Sequence, residues 1–346
     1  MKVEWKKLGD VCQVLRGKRL TKSQLSETEG YPVLHGGSTP MGYYGEYNRK
    51  ANTTVVVNTG NAGSVFFYDK EFWSSDACFS LYPNEKILDK FLYLYVYGCE
   101  LILKGKIRAG AMPTIDAAAV ESLQIPIPSL SEQQRIVGIL DTFSSSIDNL
   151  KAQIALRRKQ YEHYRDQLLD LEGKEGVEMK ALGDICKLER GVRVIKKELQ
   201  EEGAIPVFQN SLTPLGYYEK SNYPANTAFV ICAGAAGEVG FSKIAFWAAD
   251  DCTCIICSSI ISSRYAYYLL LCKQHLLKSQ VRKASVPRLS KNVIEKLSIP
   301  VPSLLEQSRI VSILDTFEAS IRNLEAQLAE RQKQYEYYRN QLLTFE

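Results

Sequence analysis

The chain has 346 residues, of which 45% are hydrophobic, and a formal net charge of +4. This length predicts about two domains, and no apolar run approaches the roughly 18 residues that a membrane span requires. The N-terminal segment lacks the apolar stretch of a signal peptide. Since the chain also has nine cysteines, we expect reduced thiols and a cytoplasmic location.

Most short motifs occur twice, and the two copies are always 174 residues apart. The repeated motifs include Leu8-Gly9-Asp10 with Leu182-Gly183-Asp184, Arg16-Gly17 with Arg190-Gly191, and Phe72-Trp73 with Phe246-Trp247. A repeat this long is not that of a solenoid, whose units have about 20–50 residues. It predicts two copies of one domain and approximate two-fold symmetry within a single chain.

Each copy begins with a globular part that combines strands and helices. Runs rich in valine, tyrosine and phenylalanine predict strands at 31–34, 53–59, 64–68 and 77–82, and apolar residues at helical spacing predict a helix over 88–103. A turn between two strands explains Gly60 and Gly63 more simply than a nucleotide-binding loop does. Cys254 and Cys257 are explained more simply by a buried strand than by a zinc site.

Basic residues cluster in two loops of each copy, at matching positions. The clusters are Arg16, Lys18, Arg19 and Lys22; Lys104, Lys106 and Arg108; Lys187, Arg190, Arg193, Lys196 and Lys197; and Lys278, Arg282, Lys283 and Arg288. One such cluster by itself is most simply solvated loop charge. Four clusters at symmetric positions favour contacts with a phosphate backbone, which requires several cations along one track.

A long helix follows each globular part. Two alternating prolines, Pro126 and Pro128, enforce an extended segment. Ser129 with Glu132 then predicts a capping box at the helix start, as Ser303 with Glu306 does in the second copy. Apolar residues at spacings of four and three predict a coiled-coil seam. The residues expected to pair the helices are Ile136, Leu140, Phe143, Ile147, Leu150, Ile154 and Tyr161 in the first helix and Ile310, Leu314, Phe317, Ile321, Leu324, Leu328 and Tyr335 in the second.

The seam and the linker together predict the architecture. Arg157 and Arg331 are polar seam positions that either fix the register or cover apolar surface with their stems. Residues 172–176 are glycine-containing and predict a flexible linker. The predicted fold class is α+β: two mixed α/β domains separated by an antiparallel two-helix coiled coil, with an internal pseudo-two-fold repeat. The predicted segments are a first domain (1–128), a first helix (129–172), a linker (173–176), a second domain (177–302) and a second helix (303–346).

The two copies differ in similarity along their length. Roughly two-thirds of the positions in 125–172 are identical in 299–346, whereas the globular parts share only scattered anchors. This pattern indicates a helix surface that meets the same partner twice and two domains that read different things. The sequence has no phosphate loop, no amino-methyltransferase motif and no histidine spacing for a metal site or a triad. We therefore expect no catalysis and no metal.

Three features make the chain resemble the specificity subunit of a type I restriction-modification system. They are the opening Trp5-Lys6-Lys7-Leu8-Gly9-Asp10 with Gly17, the Phe72-Trp73 strand, and Ile125-Pro126-Ile127-Pro128-x-Leu130-x-Glu132-Gln133-x-Arg135-Ile136 before a long helix. The last motif recurs from Ile299 to Ile310, while Met179 stands where the first copy has Trp5. The resemblance covers the whole chain.

The resemblance implies a non-catalytic DNA-recognition subunit with two target-recognition domains, each reading one half of a bipartite site on double-stranded DNA. The helices would set the gap between the half-sites and dock two DNA-methyltransferase (modification) subunits. Those partners would carry S-adenosylmethionine, and restriction/translocase subunits would use ATP. Two alternatives remain open: the recognition subunit of a related type II restriction-methylation enzyme, and a two-headed coiled-coil scaffold without a DNA role.

Candidate DNA-contacting residues follow from loop position and side-chain chemistry. They are Arg16, Lys18, Arg19, His35, Ser38, Lys106 and Arg108 in the first domain, and Arg190, Arg193, Gln209, Asn210, Arg282, Lys283 and Arg288 in the second. Basic loop residues usually contact phosphate and position the protein. We therefore expect His35, Ser38, Gln209 and Asn210 to be the residues that read bases.

Overall fold

The structure, a computed structural model, describes residues 3–345. It divides into two compact units, one formed by residues 3–151 with 327–345 and the other by residues 152–326. Each unit contains one globular domain, the first part of the long helix that follows that domain, and the last part of the other long helix. Within residues 3–345, no helix is both long and apolar enough to cross a membrane.

The first domain is built from three small sheets and short helices. In chain order, the elements are β1 (Glu4–Lys7), α1 (Leu8–Val11), β2 (Cys12–Arg16), β3 (Tyr31–Leu34), β4 (Pro40–Tyr44), β5 (Thr53–Val57), β6 (Val65–Tyr68), β7 (Trp73–Ser74), β8 (Cys78–Pro83), α2 (Asp89–Gly98), α3 (Glu100–Lys104), α4 (Ala117–Glu121), β9 (Gln124–Ile127) and the long helix α5 (Leu130–Leu169). The sheet orders are β2-β8-β5-β6, β4-β3-β7 and β1-β9. The proline-containing segment is thus a strand, β9, which pairs with the first strand of the domain.

The second domain repeats this topology. Its elements are β10 (Glu178–Ala181), α6 (Leu182–Ile185), β11 (Cys186–Arg190), β12 (Ile205–Phe208), β13 (Gly216–Tyr218), β14 (Thr227–Ile231), β15 (Val239–Ser242), β16 (Trp247–Ala248), β17 (Cys252–Cys257), α7 (Ser263–Cys272), α8 (Gln274–Ser279), α9 (Lys291–Glu295), β18 (Ser298–Val301) and the long helix α10 (Leu304–Leu342). The sheet orders are β11-β17-β14-β15, β13-β12-β16 and β10-β18. The predicted duplication is therefore confirmed strand by strand.

The four predicted strands of the first domain are confirmed within two residues of their predicted bounds. The single helix predicted over 88–103 is wrong, because α2 ends at Gly98 and Cys99 has a non-helical ψ of 7° before α3 begins. One continuous helix over 88–103 would place Ile102 on the same apolar face as Phe91 and Tyr95, but Ile102 is 54% exposed. The break at Cys99 shifts the helical phase and turns this residue outwards.

The start of each long helix belongs to the core of its own domain. Ile136 and Leu140 are fully buried in one cluster with Leu81 of the sheet and Phe91 of α2. Their counterparts Ile310 and Leu314 are equally buried in the second domain. The first two positions of each predicted seam therefore pack into a domain core, so the helix cannot leave its domain without opening that core.

Within each unit, the two long-helix segments pack side by side in opposite directions. In the second unit, Tyr164 stacks on Phe317 with ring centroids 5.4 Å apart, and Arg158 pairs with Glu325 at 2.6 Å. Residue numbers thus rise along one helix as they fall along the other. This is the antiparallel packing that the seam and the linker together predict.

The seam arginines pack against aromatic rings. The Arg157 guanidinium lies 5.9 Å from the ring centroid of Phe317, and the Arg331 guanidinium lies 5.6 Å from that of Phe143. Both pairs are within the range of a cation–π contact. The charged group itself therefore lies over an aromatic ring of the neighbouring helix, whereas the sequence interpretation assigned the cover of apolar surface to the stem. A role in fixing the register stays a prediction.

One buried glutamine fixes the start of each long helix to its domain. The Gln133 side chain is fully buried; its Nε2 donates to the carbonyls of Lys86 (2.8 Å) and Pro128 (3.0 Å), and its Oε1 accepts from Leu88 N–H (2.9 Å). Gln307 makes the same three bonds in the second domain. A buried amide with three partners is fully compatible with a dry core, and it ties helix, proline strand and domain together.

The predicted capping boxes are only half formed. Ser129 Oγ accepts a hydrogen bond from Glu132 N–H at 3.3 Å, as Ser303 Oγ does from Glu306 N–H. The glutamate does not complete the box, because both of its carboxylate oxygens accept from Arg135, three residues further along the helix. That ion pair lowers the pKa of Glu132.

The segment predicted as a flexible linker is a pair of ordered turns. Lys174 N–H donates to the Leu171 carbonyl and Val177 N–H to the Lys174 carbonyl, both at 3.2 Å. Gly173 and Gly176 both have φ of +74°, which glycine adopts without strain. Leu171 is buried in the core of the second domain, so the chain is held as soon as it leaves α5.

We predict that Gln133→Leu lowers the free energy of unfolding by about 2–4 kcal/mol, since it leaves two carbonyls and one amide buried without partners. Chemical denaturation measures this change. The neighbouring exposed residue offers a control, and Gln134→Ala should change stability by less than about 0.5 kcal/mol. Equal stability of the two variants would contradict the proposed role of the buried amide.

Candidate nucleic-acid interface

The loops of the first domain meet at one edge. β2 and β5 both end opposite the first residues of β8, and Ser75 N–H donates to the Leu34 carbonyl where β3 ends (3.1 Å). Gly60 N–H donates to the Pro113 carbonyl (3.1 Å), which brings the basic hairpin of residues 106–115 to the same edge of the domain. We name this the loop edge; in the first domain it consists of residues 16–19, 35–39, 58–60, 74–78 and 106–115.

The second domain has the same loop edge, built by the same bonds. Ala249 N–H donates to the Phe208 carbonyl (2.8 Å), and Gly234 N–H donates to the Pro287 carbonyl (3.2 Å). Arg282 and Arg288 face each other across the basic hairpin through paired backbone bonds. This loop edge consists of residues 190–193, 209–213, 232–234, 248–252 and 280–289. The backbone frame is therefore common to both domains.

A glycine allows the first basic loop to lie directly on the strand behind it. A Cβ on Gly17 would stand 2.1 Å from the Ser75 carbonyl oxygen, and one on Gly191 would stand 2.2 Å from that of Ala249. Either contact is impossible for a real side chain. The repeated Arg-Gly pair is thus explained by close backbone approach.

A tryptophan and an asparagine hold that loop in each domain. Trp73 Nε1 donates to the Lys18 carbonyl (2.7 Å), and Trp247 Nε1 donates to the Val192 carbonyl (2.8 Å). Asn48 brackets the backbone of Ser74 with two side-chain bonds, as Asn222 does for Ala248. The sequence prediction missed both asparagines, although their spacing of 174 marks them as part of the repeat.

Every candidate DNA-contacting residue lies on a loop edge, and all except the half-buried Gln209 are exposed. Some of the cations are also tied to the domain. Arg16 Nε donates to the Asp76 carbonyl (2.9 Å), and Arg108 forms an ion pair with Asp116. Lys106 Nζ donates to Ser122 Oγ (2.7 Å) next to α4. Lys106 therefore braces the hairpin, which weakens its candidacy as a phosphate contact.

The expected base-reading residues are held differently in the two domains. His35 Nδ1 is 2.8 Å from Ser75 Oγ, and at the corresponding position Gln209 Nε2 donates to Asp251 Oδ2 at 3.4 Å. The second domain has Ala249 where the first has Ser75, and the first has Ala77 where the second has Asp251. His35 and Gln209, both expected to read bases, thus each have a side-chain partner that the other domain lacks.

The second loop edge also has a small charged cavity of about 170 Å³. Its walls include Arg190, Arg288 and Lys291 together with Asp250 and Asp251. The first domain has Thr114 and Ala117 at the positions of Arg288 and Lys291. The sequence prediction missed Lys291, since it belongs to no repeated cluster.

The thiols at the loop edges are held in the protonated form. Burial raises the pKa of Cys78 to about 11, and it raises the pKa of Cys232 and Cys252 as well. Cys254 and Cys257 lie in strand β17, as predicted. In the part of the chain that the structure describes, no group of three or more His, Cys, Asp and Glu side chains could hold a metal ion. Cations, amides, hydroxyls and the His35 imidazole are available to a ligand at these edges, and the carboxylates of Asp250 and Asp251 line the cavity of the second edge.

A sequence profile of the family described as the type I restriction modification DNA specificity domain matches residues 2–156 and again residues 174–331. The chain belongs to this family. The specificity subunit of the type I restriction enzyme EcoR124I/EcoR124II from Escherichia coli is 28% identical, over 100% of this chain and 95% of the relative.

Solved structures of the type I specificity family share the fold. The crystal structure of the S subunit of a type I system from M. genitalium matches with a TM-score of 0.77 at 20% identity, covering 100% of this chain and 97% of that one. A chain from a study of complex assembly and conformational transition in a type I system matches with a TM-score of 0.60 at 17% identity, covering 99% and 97%. The predicted fold class and family are therefore confirmed.

We predict that Gly17→Ala displaces the basic loop of this specificity domain and destabilises it by about 1–3 kcal/mol, the range for overpacked sites. Trp73 reports the displacement, because its indole bonds to the Lys18 carbonyl in the same loop. Its fluorescence should change together with the unfolding midpoint. Gly45→Ala is the matched control, since a Cβ there meets no atom within 4 Å; a Gly17→Ala variant as stable as the control would refute the close-approach explanation.

Proposed function

We propose that the chain is the DNA-recognition subunit of a type I restriction-modification complex and that each domain reads one half of a bipartite target. One observation carries the proposal: the two loop edges share a backbone frame but present different side chains. His35 with Ser75 stands in one domain where Gln209 with Asp251 stands in the other. This is the arrangement expected of two recognition domains that share one scaffold and differ in DNA sequence specificity.

The chemistry of the loop edges fits DNA. Exposed Lys18, Arg19, Arg193 and Lys283 supply the charge that phosphate contacts need. The amides of Gln209 and Asn210 suit an adenine edge, which offers an acceptor and a donor side by side in the major groove. Lys and Arg would position the domain, while the amides, His35 and Ser38 would discriminate between bases.

The long helices would serve partners rather than DNA. Roughly two-thirds of their positions are identical in the two copies, and a two-fold arrangement of identical partners requires one patch to be presented twice. We assign this patch to two DNA-methyltransferase subunits that carry S-adenosylmethionine, with ATP-dependent restriction subunits joining the complex. The helix pair would set the separation of the half-sites. The chain itself would contribute recognition, without catalysis, in the cytoplasm.

A salt titration tests the proposal. The chain, assembled with its methyltransferase partner, should bind one bipartite duplex specifically, and its affinity should fall steeply as salt rises. Lys18→Ala should reduce the slope of log K against log salt by about 0.9, the value for one lost phosphate contact. Fluorescence anisotropy at several salt concentrations provides the measurement.

Lys86→Ala is the charge-matched control for this experiment. Lys86 is exposed and lies beyond the end of β8, whereas the loop edge lies at the start of that strand. The slope should not change in this variant. A complex that binds all duplexes equally, with no dependence on a bipartite sequence, would exclude the proposed function.

A further inference from the structure

The two domains hold their long helices with different strength at the position of Arg264, which lies on α7. Its Nε and Nη2 donate to Asp315 Oδ1 of α10 at 2.8 and 2.6 Å, and Nη2 also donates to Glu318 Oε2 at 2.5 Å. The side chain of Arg264 is only 13% exposed. A single guanidinium therefore joins the domain to two carboxylates on successive turns of the long helix.

Aromatic rings enclose the same guanidinium. It lies 4.6 Å from the ring centroid of Phe241, 4.8 Å from that of Tyr267 and 4.7 Å from that of Tyr268. The Tyr268 hydroxyl donates to Asp315 Oδ1 at 2.7 Å. Arg264 is thus held by contacts with aromatic rings as well as by hydrogen bonds, a combination that lysine cannot reproduce.

The charges of this cluster stabilise each other. Burial alone would lower the pKa of Arg264, but the hydrogen bond to Asp315 and the charge of Glu318 raise it above its usual range. Burial alone would raise the pKa of Asp315, but its bonds to Tyr268 and Arg264 bring it below the ordinary value. Both partners therefore remain charged at neutral pH.

The first domain has a weaker version of this contact. Lys90 of α2 stands at the position of Arg264 and reaches only Asp141 of α5, at 3.5 Å, with both side chains more than one-third exposed. Lys90 lies 4.7 Å from the Phe67 ring centroid and 6.0 Å from that of Tyr93. Ser144 replaces Glu318, so the second carboxylate is missing.

We propose that Arg264 is a positioning residue that fixes the angle between the second domain and α10, and that the first domain holds α5 more loosely through Lys90. This inference rests on the proposed function, because the angle between reader and helix would then govern which half-site separations the complex accepts. The second domain would permit little variation in the separation of the half-sites. The first domain would permit the variation in separation that the complex still accepts.

Reciprocal exchange of the two contacts tests this inference in the assembled complex. One variant, R264K/E318S, gives the second domain the charged groups of the first. The other, K90R/S144E, gives the first domain the guanidinium and both carboxylates of the second, while Leu94 stays at the position of Tyr268. The measurement is the ratio of binding constants for the preferred duplex and for duplexes with one base pair more or fewer between the half-sites. We expect R264K/E318S to lower this ratio at least threefold and K90R/S144E to raise it.

A purely structural role predicts a different result. Affinity would then fall equally for all separations, and an unchanged ratio in both variants would overturn the positioning role. The gain-of-contact variant keeps the test decisive even if R264K/E318S folds poorly, because K90R/S144E leaves the second domain untouched. A wild-type complex without any bipartite preference would overturn the proposed function itself, which separates the two failures.

Discussion

The buried amide of Gln133, repeated as Gln307, is the interaction on which the rest of the structure depends. It joins the proline strand, the start of the long helix and the loop before α2 through three bonds in a dry core. Ile136 and Leu140 then bury the next turns of the helix in the same core. Because an unpaired buried amide costs several kcal/mol, the start of each long helix is anchored to its own domain. The contacts of the next turn, from Lys90 in one domain and Arg264 in the other, then determine how firmly the angle of the helix is held.

A second constraint separates the frame of each domain from its variable chemistry. Gly17 and Gly191 permit a backbone contact that no other residue allows, and Trp73 and Trp247 hold the loop that follows. These bonds use backbone carbonyls, so they do not depend on the side chains displayed. Loop residues such as Lys18 and Val192 are therefore free to differ while their backbone stays in place. Different specificity on one scaffold follows directly from this arrangement.

Much of the fold could be predicted from the sequence because its signals are periodic. The constant offset predicts the two domains, and the four-three spacing predicts that the long helices pair. Their antiparallel orientation follows from the linker that joins the first helix to the second domain. The rest depends on contacts between distant residues. Gln133 lies in a run of polar residues, so the sequence does not show that its side chain is buried. Glu132 pairs with Arg135 instead of closing the capping box. Strand β7 has only two residues, and three of the four residues of β1 are charged, so neither shows the apolar pattern of a strand. Lys106 is a basic loop residue, as expected of a DNA contact, but its ammonium group donates a hydrogen bond to Ser122. Which exposed residues touch DNA stays a prediction.

The central claim is that the loop side chains determine which half-site each domain recognises, whereas the long helices determine which partner subunits bind and how far apart the half-sites lie. The most direct measurement is a genome-wide methylation map of cells with one altered specificity subunit. In this subunit, the sequence of residues 209–213 replaces that of residues 35–39, and Ser75→Ala and Ala77→Asp give the new loop the surroundings that it has in the second domain. The account predicts that the first half-site changes while the second half-site and the separation between them stay the same. Unchanged methylation at the original first half-site, or a changed separation, would contradict it.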